Sequence, residues 1–171
     1  MSAAAPVLRI PVGVVVERCK AASPWADVVW RPVAVLTGVP AAAPWTPLAI
    51  EGEKITFYAG ASEIELYRSE TDNYRRNLAS GAPAIWVALQ KAGSDTPYEI
   101  AAVTADPAEG EGLTEPGQGI IEAVAMPAFL RETIANFVAE YHVEEVFEKR
   151  QRDRADPEAL ARRRPKGREH Q

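Results

Sequence analysis

Lys54 to Arg68 reads K-I-T-F-Y-A-G-A-S-E-I-E-L-Y-R, and its alternation decides the fold class. Ile55 and Phe57 alternate with Thr56 and Tyr58, and Ile64 and Leu66 alternate with Glu63, Glu65 and Tyr67. A period of two puts successive side chains on opposite faces of an extended chain, with one face apolar and the other wet. The stretch predicts an antiparallel hairpin, Lys54–Ala59 and Ser62–Arg68, turning about Gly60–Ala61.

Upstream, Leu8 to Arg18 (L-R-I-P-V-G-V-V-V-E-R) is β-branched and apolar and predicts a strand, with Pro11 and Gly13 marking an edge or a bulge. Val28 to Leu36 predicts a second strand, interrupted by Pro32. Between that strand and the hairpin, Gly38 to Pro47 is a Pro/Ala connection too rich in proline for a helix. Residues 1–6 are expected to be disordered.

Downstream, Ser69 is expected to cap a short helix, with Glu70 and Asp72 in its first turn, Tyr74 and Leu78 one turn apart, and Gly81 and Pro83 as its stop. Ala84–Gln90, Tyr98–Thr104 and Ile120–Ala125 predict three further strands. Asp106-Pro107-Ala108-Glu109 has the residue order of a helix start, which Gly110 and Gly112 keep short. Pro127 opens the longest helix, with Leu130, Ile134, Phe137, Val138 and Tyr141 forming its apolar stripe. About seven mostly antiparallel strands, two short helices and one C-terminal amphipathic helix make an α+β protein. That helix is expected to pack on a sheet or to plug a partly open barrel of PH-like element order.

Charge divides the chain. From Lys149 to Gln171 nine Lys/Arg stand against four Asp/Glu, net +5, which leaves ten basic and twenty acidic side chains, net −10, in residues 1–148. One domain is expected over residues 7–147, followed by a mostly basic, frayed or disordered tail over 148–171. An acidic body repels backbone phosphates, which argues against a nucleic-acid-binding face on the folded part; the tail, with Arg162-Arg163-Arg164-Pro165-Lys166, keeps that reading as an alternative. A single cysteine forms neither an intramolecular disulfide nor a zinc site, and no stretch has the roughly 20 apolar residues of a membrane span. The expected location is the cytoplasm, with no membrane partner.

No pattern of residues carries a reaction. Cys19 lies between Arg18 and Lys20, but the histidines are far off in sequence, at His142 and His170. Glu140, His142, Glu144 and Glu145 do not share one helix face, so they read as a solvated face and not as a metal site. Glu17 with Asp27, and Glu63 with Glu65, have no spacing that singles them out as an acid–base pair. No cofactor and no metal is expected.

The remaining signal is aromatic. Trp25, Trp30 and Trp45 fall in one short stretch beside Asp27 and Arg31, where loops carrying Trp, Asp and Arg have the make-up of a protein-recognition patch. The indoles either form that patch or fold back over a sheet end. Tyr74, Arg75 and Arg76 make a second candidate patch, able to meet an anion or a partner carboxylate.

V-G-V-V-V-E-R (12–18), S-P-W-A-D-V-V-W-R-P-V-A-V-L (23–36), P-W (44–45), F-Y-A-G (57–60), E-L-Y-R-S-E-T-D-N-Y-R-R-N-L (65–78) and H-V-E-E-V-F-E-K-R-Q-R-D-R (142–154) together resemble a proteobacterial family of domains of unknown function. Its members tend to lie in gene neighbourhoods of molybdenum-dependent formate dehydrogenases. The resemblance covers most of residues 11–154 and implies an accessory role in maturation, cofactor insertion or regulation of that enzyme system, with a formate dehydrogenase component as partner. It names no catalytic residue. A small-molecule binder or enzyme, acting on a cofactor intermediate, is the alternative from another class.

Overall fold

The computed structural model describes residues 4–25, 27–93, 95–113 and 119–143. Seven strands form two antiparallel sheets. β1 (Leu8–Lys20), β2 (Val28–Thr37), β3 (Thr46–Glu51) and β4 (Lys54–Leu66) make a four-stranded sheet of order β2-β1-β4-β3. β5 (Ala84–Lys91), β6 (Tyr98–Thr104) and β7 (Gly119–Ala125) make a three-stranded sheet of order β6-β5-β7. A 3-10 turn (Arg68–Glu70) leads into α1 (Thr71–Ala79); α2 (Pro107–Gly112) and α3 (Ala128–Tyr141) complete the described elements. β7 lies beside β2 and β6 beside β4, but the sheets stay separate and no closed barrel forms among the described residues. None of the described helices is long and apolar enough to cross a membrane.

The expected hairpin about Gly60–Ala61 is one continuous strand. β1 is thirteen residues long and pairs with β4 from Leu8↔Leu66 to Arg18↔Ile55, so a single partner runs past the glycine. Gly60 bends the strand at φ 135°, where the register also shifts at Val14/Val15. The true turn is at Gly52, φ 63°, between the paired Glu51 and Lys54. It creates β3, which begins inside the expected Pro/Ala connection.

β1 is buried along Val12–Val16 because both its faces are covered. Its inner face, with Ile10, Val12, Val14 and Val16, meets Ile85, Val87 and Leu89 of β5 and Leu130, Ile134 and Phe137 of α3 in one core. On the outer face the Tyr58 ring and Pro40 come within 3.0 and 3.2 Å of where a Cβ on Gly13 would stand, so only glycine admits them. The prolines of the β2–β3 connection thus cover a sheet face.

Helix starts follow local chemistry in one case and not in another. Asp106 caps α2, its carboxylate accepting from the Ala108 and Glu109 N–H groups. Ser69 caps nothing: its hydroxyl faces Glu70, and α1 begins after the 3-10 turn without a side-chain cap. The expected domain end at 147 and the tail lie outside the described residues.

Candidate functional site

The β1–β2 and β3–β4 turns fall at the same end of the four-stranded sheet, bridged by Lys20 and Glu53 at 3.7 Å. Register fixes what this end presents. Arg18 pairs with Trp30 on one side and Ile55 on the other, and Ile55 pairs with Ile50. Cross-strand partners share a face, so Trp30, Arg18, Ile55 and Ile50 form one row across all four strands.

That row borders an aromatic cluster. The Trp30 ring lies 5.7 Å from Trp45 at 88°, 5.7 Å from Phe57 and 6.1 Å from Tyr98. The Arg18 guanidinium sits 5.6 Å above Trp30 and 5.7 Å above Phe57, within cation–π range. Trp30 and Trp45 are half-buried and pack against the core. Trp45 is held in a left-handed conformation, φ 67°, with its N–H donating to the Tyr58 carbonyl. That backbone costs a non-glycine residue of order 1–3 kcal/mol, which the ring packing must offset.

Trp25 differs. It sits at the tip of the β1–β2 connection, 93% exposed, its backbone N–H donating to the Ser23 hydroxyl at 3.2 Å. Val28 and Val29 of β2 and Leu48 and Ile50 of β3 are exposed as well. Asp27 is exposed as well, its carbonyl accepting from the Ala21 N–H to close the tip.

The expected Trp patch therefore divides. Trp25 and Asp27 are at the tip, and Trp30 and Trp45 line the inner face. Arg31 is on the outer face, paired with Glu17 at 3.2 Å. Glu17 is buried and also meets Lys54 at 3.5 Å, so Arg31 belongs to an ion triad. Alternation along β2 forces this, since neighbours Trp30 and Arg31 point to opposite faces. Arg18, two residues beyond Val16 on the inner face, is the arginine that packs on Trp30. The alternation along V-V-V-E-R carried that signal.

The second expected patch also divides. Tyr74 is 2% exposed, so it cannot be a surface contact. Its hydroxyl accepts from the Tyr67 N–H at 3.0 Å, and its ring meets Phe137 at 6.1 Å. Burial pushes its pKa up to about 12, against a lowering contribution from the Tyr67 N–H. Arg75 and Arg76 are exposed and share Asp72, at 2.9 and 2.8 Å. These guanidinium groups, the hydrogen bond from Arg75 foremost, hold the Asp72 carboxyl below its ordinary value.

The inward side of the same helix does structural work that residue type alone did not reveal. Asn77 is buried, donates to the carbonyls of Ala84 and Ala105 at 2.8 and 2.9 Å, and accepts from the Ala84 N–H at 3.0 Å. Asn73 reaches Glu70 and Asp106. Cys19 faces the Val29 carbonyl at 3.9 Å. His142 is half-buried at the end of α3, its Nδ1 3.1 Å from the Thr71 hydroxyl, and so is not part of a solvated face. Among the described residues no three His, Cys, Asp or Glu side chains are grouped to hold a metal.

A family model matches residues 11–151, well over half of the chain. The chain belongs to that family, described as Protein of unknown function (DUF3305). The DUF3305 match takes in the whole Trp25 end, β1 from Pro11 onward, β2 to β7 and α1 to α3. No curated protein and no solved structure matches the chain.

Proposed function

We propose that this DUF3305 protein is a non-catalytic cytoplasmic accessory protein, which captures a protein partner through the end of the four-stranded sheet that carries Trp25. A component of a molybdenum-dependent formate dehydrogenase is the first partner to try, on the strength of the sequence resemblance. One observation carries the interaction reading: an indole left 93% exposed at a strand connection, with Val28 and Val29 exposed at the start of β2 and Ile50 near the end of β3.

The magnitude supports an anchor. A tryptophan buries about 150–250 Å² when covered, and at about 25 cal/mol per Å² that is roughly 4–6 kcal/mol before ordering costs. Hot spots in interfaces lie at about 2 kcal/mol and above. Lys20 and Asp27 stand at the two ends of the connection that carries Trp25 and would set orientation through charge.

The test is quantitative capture from the native cytoplasm by the full chain and by Trp25→Ala. Because the ring touches little of its own protein, the variant should unfold at the same denaturant concentration as wild type. It should lose about thirtyfold in affinity for the partner, the equivalent of 2 kcal/mol. Equal capture by both proteins would overturn the reading. The nucleic-acid alternative rests on the basic run Arg162-Arg163-Arg164-Pro165-Lys166 of the tail, which lies outside the described residues.

A further inference from the structure

Beside the start of β1, one flank of α3 is left uncovered among the described residues. Asn136, Phe137, Glu140 and Tyr141 recur at three- and four-residue spacing, so they lie along one side of the helix. With Val7 and Leu8 they line a groove of about 270 Å³. Val7 and Leu8 remain 40% and 37% exposed, whereas Ile10, two residues on from Leu8, is buried in the core.

The chain itself continues from this groove. α3 ends at the groove residue Tyr141, and His142 follows with extended backbone, φ −73° and ψ 124°, so the chain leaves the helix axis there. Val143, the last described residue, is 80% exposed. Val146 and Phe147 come next in the sequence as an adjacent apolar pair, after which charge dominates. From Val143 to Phe147 an extended chain spans about 13 Å, and from Phe137 to Tyr141 the helix rises only about 6 Å, so the pair can turn back and reach the groove.

Two further observations favour the chain's own segment as occupant. The family match runs to residue 151, ten residues beyond α3, so the sequence shared with the family takes in this apolar pair. Charge fits as well, since Glu140 stands at the groove and Lys149 and Arg150 follow the pair.

We propose that residues 144–151 dock back on α3 of the same chain, with Val146 and Phe147 filling the groove against Val7, Leu8, Phe137 and Tyr141. Burial of one aromatic and one β-branched side chain drives the docking. The segment then completes the core at the start of β1, the opposite end of that strand from Trp25, and the inference is independent of the Trp25 reading.

Engineered disulfides in the full chain test it. Cys19 is the only native cysteine, so Cys19→Ser leaves a background in which two introduced thiols can meet only each other. Lys149→Cys is combined with Asn136→Cys at the groove, or with Ala135→Cys, which the helix turns about 100° away from the groove. The two loops differ by one residue, so a segment that stays off the groove closes both at similar rates. Docking predicts that the 136–149 pair oxidises about tenfold faster or more, because it raises the effective concentration of one thiol at the other. Phe147→Ala in both backgrounds should bring the two rates within about threefold of each other. The proposal is overturned by similar rates for the two pairs, by a preference that survives Phe147→Ala, or by disulfides that join two molecules, which would assign the groove to a second copy.

Discussion

Replacing Asn77 tests whether one amide ties α1 to both β5 and the β6–α2 junction. Its side chain satisfies the Ala84 N–H and the Ala84 and Ala105 carbonyls. Asn77→Ala removes three hydrogen bonds worth about 1 kcal/mol each and leaves buried backbone groups unpaired at a further cost, for a total of about 3–5 kcal/mol. That is a fifth or more of a domain stability of about 5–15 kcal/mol, and it lowers Tm by about 10 °C. Asn77→Asp separates hydrogen bonding from packing. Aspartate has nearly the same shape and keeps the acceptor for Ala84, but it sets a carboxylate oxygen against two carbonyl oxygens. At pH 7 it should therefore cost at least as much as alanine. Buried beside those carbonyls, the new carboxyl has a raised pKa, so its protonated form supplies a donor and part of the stability returns as pH falls. Urea unfolding of both variants at pH 7 and pH 4.5 reads this out. An Asn77→Asp protein within about 0.5 kcal/mol of wild type at pH 7 would refute the reasoning.

Other outcomes follow from the same geometry. A Cβ on Gly110 would stand 2.7 Å from both Cδ1 and Cδ2 of Trp86, so Gly110→Ala should destabilise by about 1–3 kcal/mol in spite of its better helix propensity; Gly112→Ala meets nothing within 4 Å and should be neutral or slightly stabilising in the same denaturation series. Tyr74 titrates near 12 in the fold against about 10 when unfolded, so the folded state holds the proton more tightly. Its contribution is intact below pH 10 and lost as pH rises toward 12, and Tyr74→Phe should flatten the fall of Tm over that window. Trp45→Ala removes a ring packed on Trp30 and Phe57 and should cost about 2–4 kcal/mol, unlike Trp25→Ala; matching midpoints for the two variants in urea would contradict the assigned burial.

Much of the scaffold was legible because local alternation and punctuation agreed with the tertiary partners. β6 was read at its observed bounds, and Asp106-Pro107 opens α2 as its residue types imply. The errors have one physical source, pairing at long range. Gly60 looked like a turn only while the pairing of β1 was unknown, since nothing near Gly60 tells a bend from a reversal. β3 hid because its residues are mostly exposed and follow a proline-rich run, although Gly52-Glu53 was a two-residue turn signal. In the candidate sites, composition gathered the right residue types but not their faces. Trp30 and Arg31 diverge by strand alternation. Tyr74 turns inward, as its spacing with Leu78 implied, while Arg75 and Arg76 stay outside. Exposure of Trp25 alone among the three clustered indoles was not readable, because it depends on which connection crosses the sheet face.

The most direct test places a photo-crosslinking amino acid at position 25 of the full chain, and at Glu132 on the exposed side of α3 for comparison, in the native cytoplasm. A docking end built around Trp25 predicts one dominant crosslinked protein from position 25 and none from position 132. No product from position 25, or the same products from both positions, would contradict it.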